Sequence, residues 1–199
     1  FGGGTPTYLD AAHGLRPIVD ALRATFTVCA DAEITVEANP ASSDRSRFAR
    51  LVQLGFNRAS IGVQSLDDHT LATLGRLHSS ADAIEAVHAA RSAGFTNVSI
   101  DLIFGVPNQS LARWQSDVRR ALELEPDHVS VYNLTIEEGT PYAAMLARGE
   151  LPLPEEDVRA DMFDWAITTL ERAGYEHYEV SNFARPGFRS RHNQVYWRN

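Results

Sequence analysis

Three polar side chains stand near the carboxyl ends of the predicted strands, namely Glu37, Gln64 and Asp101. A carboxylate buried among strands is costly unless a cation, a ligand or water accompanies it. Arg76, which follows the second strand after a short helix, can supply that cation. Two interpretations are equally open at this point: a structural network built around Arg76, or a site for a polar ligand.

Two further segments, one at each end of the chain, carry residue types suited to ligands. Residues 2–6 read Gly-Gly-Gly-Thr-Pro, and glycines let the backbone approach a ligand closely. Residues 192–197 read His-Asn-Gln-Val-Tyr-Trp, which joins an imidazole to two flat aromatic rings. Neither segment is specific alone, because three glycines are more often a turn and a lone histidine is usually structural.

The composition excludes several classes of protein. All 18 basic residues are arginine, so the chain has neither a Schiff-base lysine nor a P-loop lysine. The single cysteine, Cys29, excludes a disulfide framework within this chain. A net charge of −8 argues against general nucleic-acid binding. No apolar run approaches the ~20 residues of a membrane span, and one cysteine suits a reducing compartment, so we expect a cytoplasmic protein.

The ends of the chain are unusual. Residues 183–199 carry four arginines and no acidic residue, together with several aromatic rings. Such a segment suits a flat anionic ligand, although a solvated loop is the simpler interpretation. The chain opens on a glycine loop without Met, so we expect an internal piece of a longer protein. A weak boundary near residue 150 divides the predicted barrel, 1–150, from a last unit, 151–199.

Short apolar strands alternate with amphipathic helices along the chain, which predicts a parallel sheet with right-handed crossovers. Helices are predicted after Asp10 and around Phe48, from 81 to 93, after Ser110 and from Pro154 to Gly174. The last residues are predicted to form a loop. The predicted strands are 33–38, 58–64, 98–104, 128–134 and 175–181.

The alternation within the first three strands distinguishes a barrel from an open sheet. In each strand one face is apolar and the other is small or polar, whereas an open parallel sheet is apolar on both faces. Glu37, Gln64 and Asp101 all fall on the polar face. We therefore predict an incomplete β/α barrel with a partly hydrated interior, and a site at the carboxyl ends of its strands.

Eight segments, taken in order, resemble the radical S-adenosylmethionine proteins related to oxygen-independent coproporphyrinogen III oxidase. The last three segments are most similar to the HemW branch of heme chaperones, and the resemblance covers nearly the whole chain. The segments are GGGTPT, VEANP, ASIGVQS, LGRLH, SIDLIFGVPNQ, SVYNLTIEEGTP, YEVSNFARPG and HNQVYW.

The resemblance implies an α/β fold, a partial (β/α)6 barrel whose first unit is missing here. It implies that S-adenosylmethionine lies across the strand ends, and that heme binds near the end of the chain, with arginines available for its propionates. The implied S-adenosylmethionine contacts are Gly3, Gly4, Thr5, Glu37, Gln64, Arg76 and Asp101. The implied heme contacts are His192, Asn193, Tyr196 and Trp197.

One family feature is absent from these residues. The CxxxCxxC motif that holds the family's [4Fe–4S] cluster does not occur, and the family places it upstream of the glycine loop. We therefore expect no metal ligands in this chain and cluster cysteines outside it. Cys29 has no partner at that spacing, and we expect it to be a small buried residue.

Three functions remain in competition. The first is a heme chaperone that binds S-adenosylmethionine and heme, receives electrons from a donor and delivers heme to an acceptor protein. The alternative is an oxygen-independent coproporphyrinogen III oxidase, which decarboxylates two propionates by radical chemistry. The third is a β/α domain that binds a nucleotide-like ligand without chemistry. The HNQVYW ending and the LTIEEGTP segment favour the chaperone.

Overall fold

A six-stranded sheet, parallel over its first four strands, forms the centre of the chain. The structure is a computed structural model that describes residues 1–2 and 5–198. The strands are Thr35–Ala38 (β1), Arg58–Gln64 (β2), Asn97–Phe104 (β3), His128–Asn133 (β4), Glu176–His177 (β5) and Asn182–Ala184 (β6). Their spatial order is β1-β2-β3-β4-β6-β5, which confirms the predicted, mostly parallel α/β fold.

Helices connect the parallel strands, as the sequence pattern predicts. Their bounds are Arg16–Thr25 (α1), Arg45–Gln53 (α2), Asp68–Thr73 (α3), Ser80–Ala93 (α4), Leu111–Glu123 (α5), Pro141–Ala147 (α6), Glu156–Arg172 (α7) and Arg191–Arg198 (α8). Asp10 caps a π-helical turn that leads into α1, and Gly94 ends α4 with a φ of 107°. No helix in the described residues is long and apolar enough to span a membrane.

The two faces of the parallel strands differ as their alternation predicts. Val36, Ile61 and Ile100 are fully buried, and they belong to the continuous apolar core that the helices cover. Ser60 and Asp101, on the opposite face, are only partly buried. The polar face therefore lines the concave side of the sheet, and the carboxyl ends of its strands hold the predicted site residues.

The last part of the sheet differs from the sequence prediction. In place of one parallel strand over 175–181 and a loop, the chain forms β5, a bend, β6 and then α8. β6 runs antiparallel to β4, with Val129 opposite Phe183. The bend is supported by a hydrogen bond that Asn182 donates to Glu179, and the His177 ring stacks on Phe183 at 4.3 Å. An antiparallel return needs only such a bend, whereas a parallel one needs a long crossover.

The first residue of the chain extends the sheet beyond β1. The Phe1 amino group donates to the Thr35 carbonyl at 2.7 Å, and the Glu37 amide donates to the Phe1 carbonyl at 3.0 Å. These two bonds place Phe1 beside Val36 in the pattern of a parallel pair. The glycine loop that follows Phe1 consequently begins at the same end of the sheet as the predicted site.

The end of β2 adopts an unusual backbone that a distant carboxylate holds in place. Gln64 has a φ of 68°, and the pairing with β3 shifts in register between Ile61 and Gln64. In the next loop, the Ser65 hydroxyl donates to Asp117 at 2.5 Å and the Leu66 amide donates to the same carboxylate at 2.9 Å. Asp117 lies on α5 and is 1% exposed, so it anchors the loop from within the core.

We predict that the titration of Asp117 makes stability pH-dependent. Burial raises the pKa of the Asp117 carboxyl from 3.8 to about 6. Because the folded pKa lies above the unfolded one, this carboxyl favours folding at low pH, and that contribution is lost as the pH rises through about 6. In Asp117→Asn the amide still accepts from Leu66 but cannot titrate. The unfolding free energy of wild type relative to the variant should therefore fall by about 2–3 kcal/mol between about pH 4 and pH 7.

Urea unfolding at a series of pH values measures this difference. Asp161→Asn, which changes an exposed carboxylate on α7, is the matched control. Parallel pH profiles for wild type and Asp117→Asn would show that Asp117 is not the titrating group.

Candidate functional site

A cavity of about 140 Å³ lies at the carboxyl ends of the parallel strands. It brings together all five described residues that the resemblance implies as S-adenosylmethionine contacts, whereas Gly3 and Gly4 fall outside the described residues. Ser60 and Gly62 also line the cavity and lie on the polar face of β2, so their alternation could have identified them. The lining residues are Thr5, Glu37, Ala38, Asn39, Ser60, Gly62, Gln64, Arg76 and Asp101.

Glu37 lines the cavity and lies against Gly2, the first residue of the glycine run. A Cβ atom at Gly2 would lie 2.5 Å from Glu37 Oε1, so no side chain fits at this position without moving the carboxylate. Sequence reasoning selected the following glycines and missed Gly2, although Gly2 belongs to the same run. The glycine here allows close approach, which brings a carboxylate against the start of the chain.

Gln64 also lines the cavity, and it too lies against a glycine. Its amide lies over Gly62, where a Cβ atom would come within 2.6 Å of Gln64 Nε2. The left-handed backbone at Gln64 is disfavoured for a residue with a side chain, by about 1–3 kcal/mol. The Asp117 anchor on the next two residues holds this conformation, and strain kept in place by its surroundings is typical of ligand-binding positions.

Asp101 is the carboxylate with the most perturbed environment in the cavity. Burial raises the pKa of the Asp101 carboxyl to about 6, although a hydrogen bond from Ser130 and the positive charges of Arg58 and Arg76 oppose this rise. The nearby Glu37 carboxylate acts in the same direction as burial. Asp101 is therefore a carboxyl group that exchanges its proton close to neutral pH.

Arg58 is a contributor that sequence reasoning missed. It begins β2 on the polar face, and only 5% of it is exposed. Its Nε has no hydrogen-bond partner among the residues that the structure describes. An arginine on the inward face of a strand is itself a signal, because a buried guanidinium requires nearby negative charge. Asp101 is such a charge.

Arg76 enters the cavity on the loop between α3 and α4. The Arg76 amide donates to the Leu71 carbonyl at 2.9 Å, and His78 Nε2 lies 3.1 Å from the Val63 carbonyl, so both ends of the loop are held. Burial lowers the pKa of the Arg76 guanidinium, and the charge of Asp101 partly offsets this effect.

The ionic groups of the cavity face one another without pairing. Within the described part of the chain, Arg76 forms no direct ion pair, and neither do Glu37 and Asp101. The structural network around Arg76 that the sequence left open is thus not formed by direct contact. Unpaired charges that converge on a cavity favour the second interpretation, a polar ligand.

The chemistry of the lining defines the ligand. Two carboxylates suit an ammonium group and sugar hydroxyls, an amide both donates and accepts, and an arginine binds a carboxylate through two parallel bonds. The cavity is smaller than the about 300 Å³ at which pockets for whole ligands begin. It therefore fits the polar part of a larger molecule that carries amino, carboxylate and hydroxyl groups.

The four implied heme contacts lie on α8 and not on the predicted loop. Residues four apart share a helix face, which divides the four into two pairs. His192 and Tyr196 form one pair, with ring centroids 5.0 Å apart in an edge-to-face arrangement. Asn193 and Trp197 form the other. Tyr196 and Trp197 are 74% and 64% exposed, so both rings present apolar surface to solvent.

A larger cavity, of about 710 Å³, runs along the outer edge of β1. Its walls include apolar side chains of α1, such as Val19 and Leu22, together with Ile34, which precedes β1, and His192 of α8. Glu37 lines both cavities, and in this way the two sets of predicted residues adjoin each other. They do not merge into one site.

The part of the chain that the structure describes holds no group of residues that fits an iron–sulfur cluster. Its one cysteine, Cys29, is exposed, which corrects the expectation of a buried residue, since the loop after α1 leaves this side chain on the surface. Within residues 1–2 and 5–198, no three His, Cys, Asp or Glu side chains are grouped for a metal ion.

Comparisons with known proteins identify the family of the chain. The sequence model of the Radical SAM superfamily matches residues 1–121. Heme chaperone HemW of Escherichia coli (strain K12) is 41% identical over 200 residues, which cover 100% of this chain and 51% of that protein. Radical S-adenosyl methionine domain-containing protein 1, mitochondrial, of Mus musculus is 43% identical over 197 residues, 99% of this chain and 44% of that protein.

A solved structure has the same fold over most of this chain. Coproporphyrinogen III oxidase (HemN) from Escherichia coli, described as a radical SAM enzyme, superimposes with a TM-score of 0.81 at 33% identity, over 94% of this chain and 42% of that one. The chain thus spans about half the length of the curated relatives it matches. Because the superfamily match covers more than half of the residues and the relatives exceed 40% identity over nearly all of them, the chain belongs to the radical S-adenosylmethionine superfamily.

Proposed function

We propose that this chain is the S-adenosylmethionine-binding part of a heme chaperone, a protein that binds heme and delivers it to acceptor proteins. The observation that carries the proposal is the cavity in which Glu37, Gln64, Arg76 and Asp101 converge without direct ion pairs. The identity of about 40% to proteins named heme chaperone HemW supports the choice of function within the superfamily.

S-Adenosylmethionine fits the donor set of the cavity. Arg76 binds the methionine carboxylate, and Glu37 next to the glycine loop accepts from the methionine ammonium. Gln64 and Asp101 bind the ribose hydroxyls. When bound, the cofactor supplies the radical chemistry of the superfamily, and the cysteine ligands of the [4Fe–4S] cluster are expected outside this chain.

The residues that line the cavity orient the cofactor, and the protonation of Asp101 sets the charge that faces it. At a pH above about 6, Asp101 is ionised and accepts hydrogen bonds from the ribose, whereas below that pH it carries a proton. The held backbone at Gln64 and the held loop at Arg76 lower the entropy lost on binding, because the backbone that carries these side chains is already in place.

Heme binds at α8 in this proposal. His192 offers an imidazole for the iron, and the exposed rings of Tyr196 and Trp197 offer stacking surfaces for the porphyrin. The arginines at 185, 189, 191 and 198 suit the propionates. Within the chain, Arg189 pairs with Glu176, Arg191 pairs with Asp31 and Arg185 lies over the Tyr175 ring. Residues 1–150 then form the truncated barrel, and residues 151–199 form its last unit and the start of the C-terminal region that binds heme. The heme acceptor, the electron donor and a cytoplasmic location belong to the same proposal.

The similarity to HemN supports a second candidate. With 33% identity and a TM-score of 0.81, oxygen-independent coproporphyrinogen III oxidation is the alternative function. It uses the same S-adenosylmethionine cavity, but it needs no iron ligand at His192. The dependence of heme binding on His192 therefore separates the two functions.

We predict that Asp101→Ala in the whole protein weakens S-adenosylmethionine binding about tenfold to a hundredfold, the usual effect of losing charged hydrogen bonds. Heme binding should be unchanged, because Asp101 lies in the other cavity. Isothermal titration calorimetry measures both ligands. Asp164→Ala, an exposed carboxylate of α7, is the control. Unchanged S-adenosylmethionine affinity in Asp101→Ala would contradict the assignment of the cavity.

We predict that the whole protein, with its cluster reconstituted under anaerobic conditions, binds heme saturably, as followed by the Soret band. His192→Ala should weaken this binding about tenfold or more, since it removes the iron ligand. His88→Ala, an exposed histidine of α4, should leave the titration unchanged. Absence of saturable binding, or binding indifferent to His192, would favour coproporphyrinogen decarboxylation.

A further inference from the structure

The concave face of the sheet carries a second polar group of residues, deeper than the cavity and outside the proposed function. It includes His128 of β4 and Ser99 of β3, which are both fully buried, and Tyr178 in the bend after β5. The Tyr178 segment, YEVSNFARPG, is part of the resemblance but has no assigned role. This group connects the strands to the start of α8.

His128 links two strands of the sheet to Tyr178. Its Nδ1 lies 2.8 Å from the Ser99 hydroxyl and its Nε2 lies 2.7 Å from the Tyr178 hydroxyl. Burial holds the pKa of the His128 imidazole well below its usual value, and the positive charge of Arg58 acts in the same direction. The imidazole is therefore neutral, with one nitrogen donating and the other accepting.

Tyr178 continues the connection to α8. The Ser190 amide donates to the Tyr178 hydroxyl at 3.3 Å, and the Ser190 hydroxyl in turn accepts from the Asn193 amide. Two proton arrangements satisfy these contacts: Tyr178 donates to His128 Nε2 and His128 Nδ1–H donates to Ser99, or His128 Nε2–H donates to Tyr178 and Ser99 donates to His128 Nδ1. In both arrangements each ring nitrogen of His128 has a partner, so the ring and the Tyr178 hydroxyl are held in place.

Ser190 is the residue immediately before α8. It is 1% exposed, its hydroxyl accepts from the Asn193 amide at 3.3 Å, and its carbonyl accepts from the Gln194 amide at 3.2 Å. The first turn of α8 carries His192, which is exposed. Glu33 accepts from the Arg191 and His192 amides at 3.1 and 3.4 Å, but these contacts lie on the exposed side of the turn. The contact of Ser190 with Tyr178 is the attachment of this turn that involves a buried residue.

We propose that Tyr178, held by His128, is a positioning residue that fixes the first turn of α8 and thereby orients His192 toward heme. The role in heme binding rests on the proposed function, whereas the attachment of α8 to the sheet does not. Tyr178 does not touch heme in this proposal. It acts through Ser190 and Asn193.

Tyr178→Phe in the whole protein tests the proposal, because it removes one oxygen atom and keeps the ring. Loss of this attachment should make the amides of residues 191–195 exchange with deuterium about tenfold faster, as measured by hydrogen-exchange mass spectrometry or NMR. Tyr175→Phe is the matched control, since it also loses a buried hydroxyl bond, to the Pro126 carbonyl at 2.5 Å, away from α8. His128→Asn is a second variant: it keeps a polar group near Ser99 but cannot reach Tyr178, so it should have the same effect as Tyr178→Phe.

The same variants are titrated with heme. Tyr178→Phe should weaken binding several-fold and shift the Soret band toward that of His192→Ala, whereas Tyr175→Phe should match wild type. Exchange at 191–195 that is no faster in Tyr178→Phe than in Tyr175→Phe would overturn the proposal. A different outcome would overturn the role of Tyr178 in orienting His192: Tyr178→Phe exchanges faster, yet its heme spectrum equals that of wild type, while heme binding still depends on His192. Heme binding that is indifferent to His192 in wild type would instead refute the proposed function, and the exchange result would still decide the attachment.

Discussion

The structure depends on the interactions that stabilise carboxylates on the concave face of its parallel sheet. Asp101 lies within β3, next to the carboxyl ends of β1 and β2, where a lone carboxylate would be costly. It is tolerated because Ser130, Arg58 and Arg76 oppose the effect of burial on its pKa. This arrangement needs Arg58 on the inward face of β2 and the Arg76 loop held above it. The surrounding loops bring further ionic groups to the same end of the strands.

Much of this end of the sheet could be predicted because its signals are local. Strand alternation repeats every two residues, so Glu37 and Asp101 could be assigned to one face from the sequence alone. Other contributors could not be found in this way, because their contacts join distant parts of the chain. Asp117 holds Ser65 across 52 residues, and Gly2 matters only because Glu37 lies against it. No pattern within a single segment indicates such contacts.

The last fifty residues show the limit of reasoning from alternation. The pattern predicted another parallel strand and then a loop, whereas β6 turns back along β4 and α8 follows. Pairing with β4 satisfies the backbone groups of β6, and this tertiary contact outweighs the local pattern. The helix was missed because the arginines, glycine and proline before it resemble a loop, while its start is fixed by Ser190, which is buried through contacts with Tyr178.

The two polar groups on the concave face differ in how many of their side chains have a partner within the protein. This difference distinguishes a structural group from a candidate binding site. Ser99, His128 and Tyr178 bond to one another in series. Among the residues that the structure describes, the charged groups of Glu37 and Arg76 lining the cavity have no such partners. Folding alone favours the first arrangement, because unsatisfied polar groups cost free energy. Unpaired polar groups around a cavity, on a backbone held in a strained conformation, are the arrangement expected of a binding site, because a ligand that pairs with them would stabilise the folded protein.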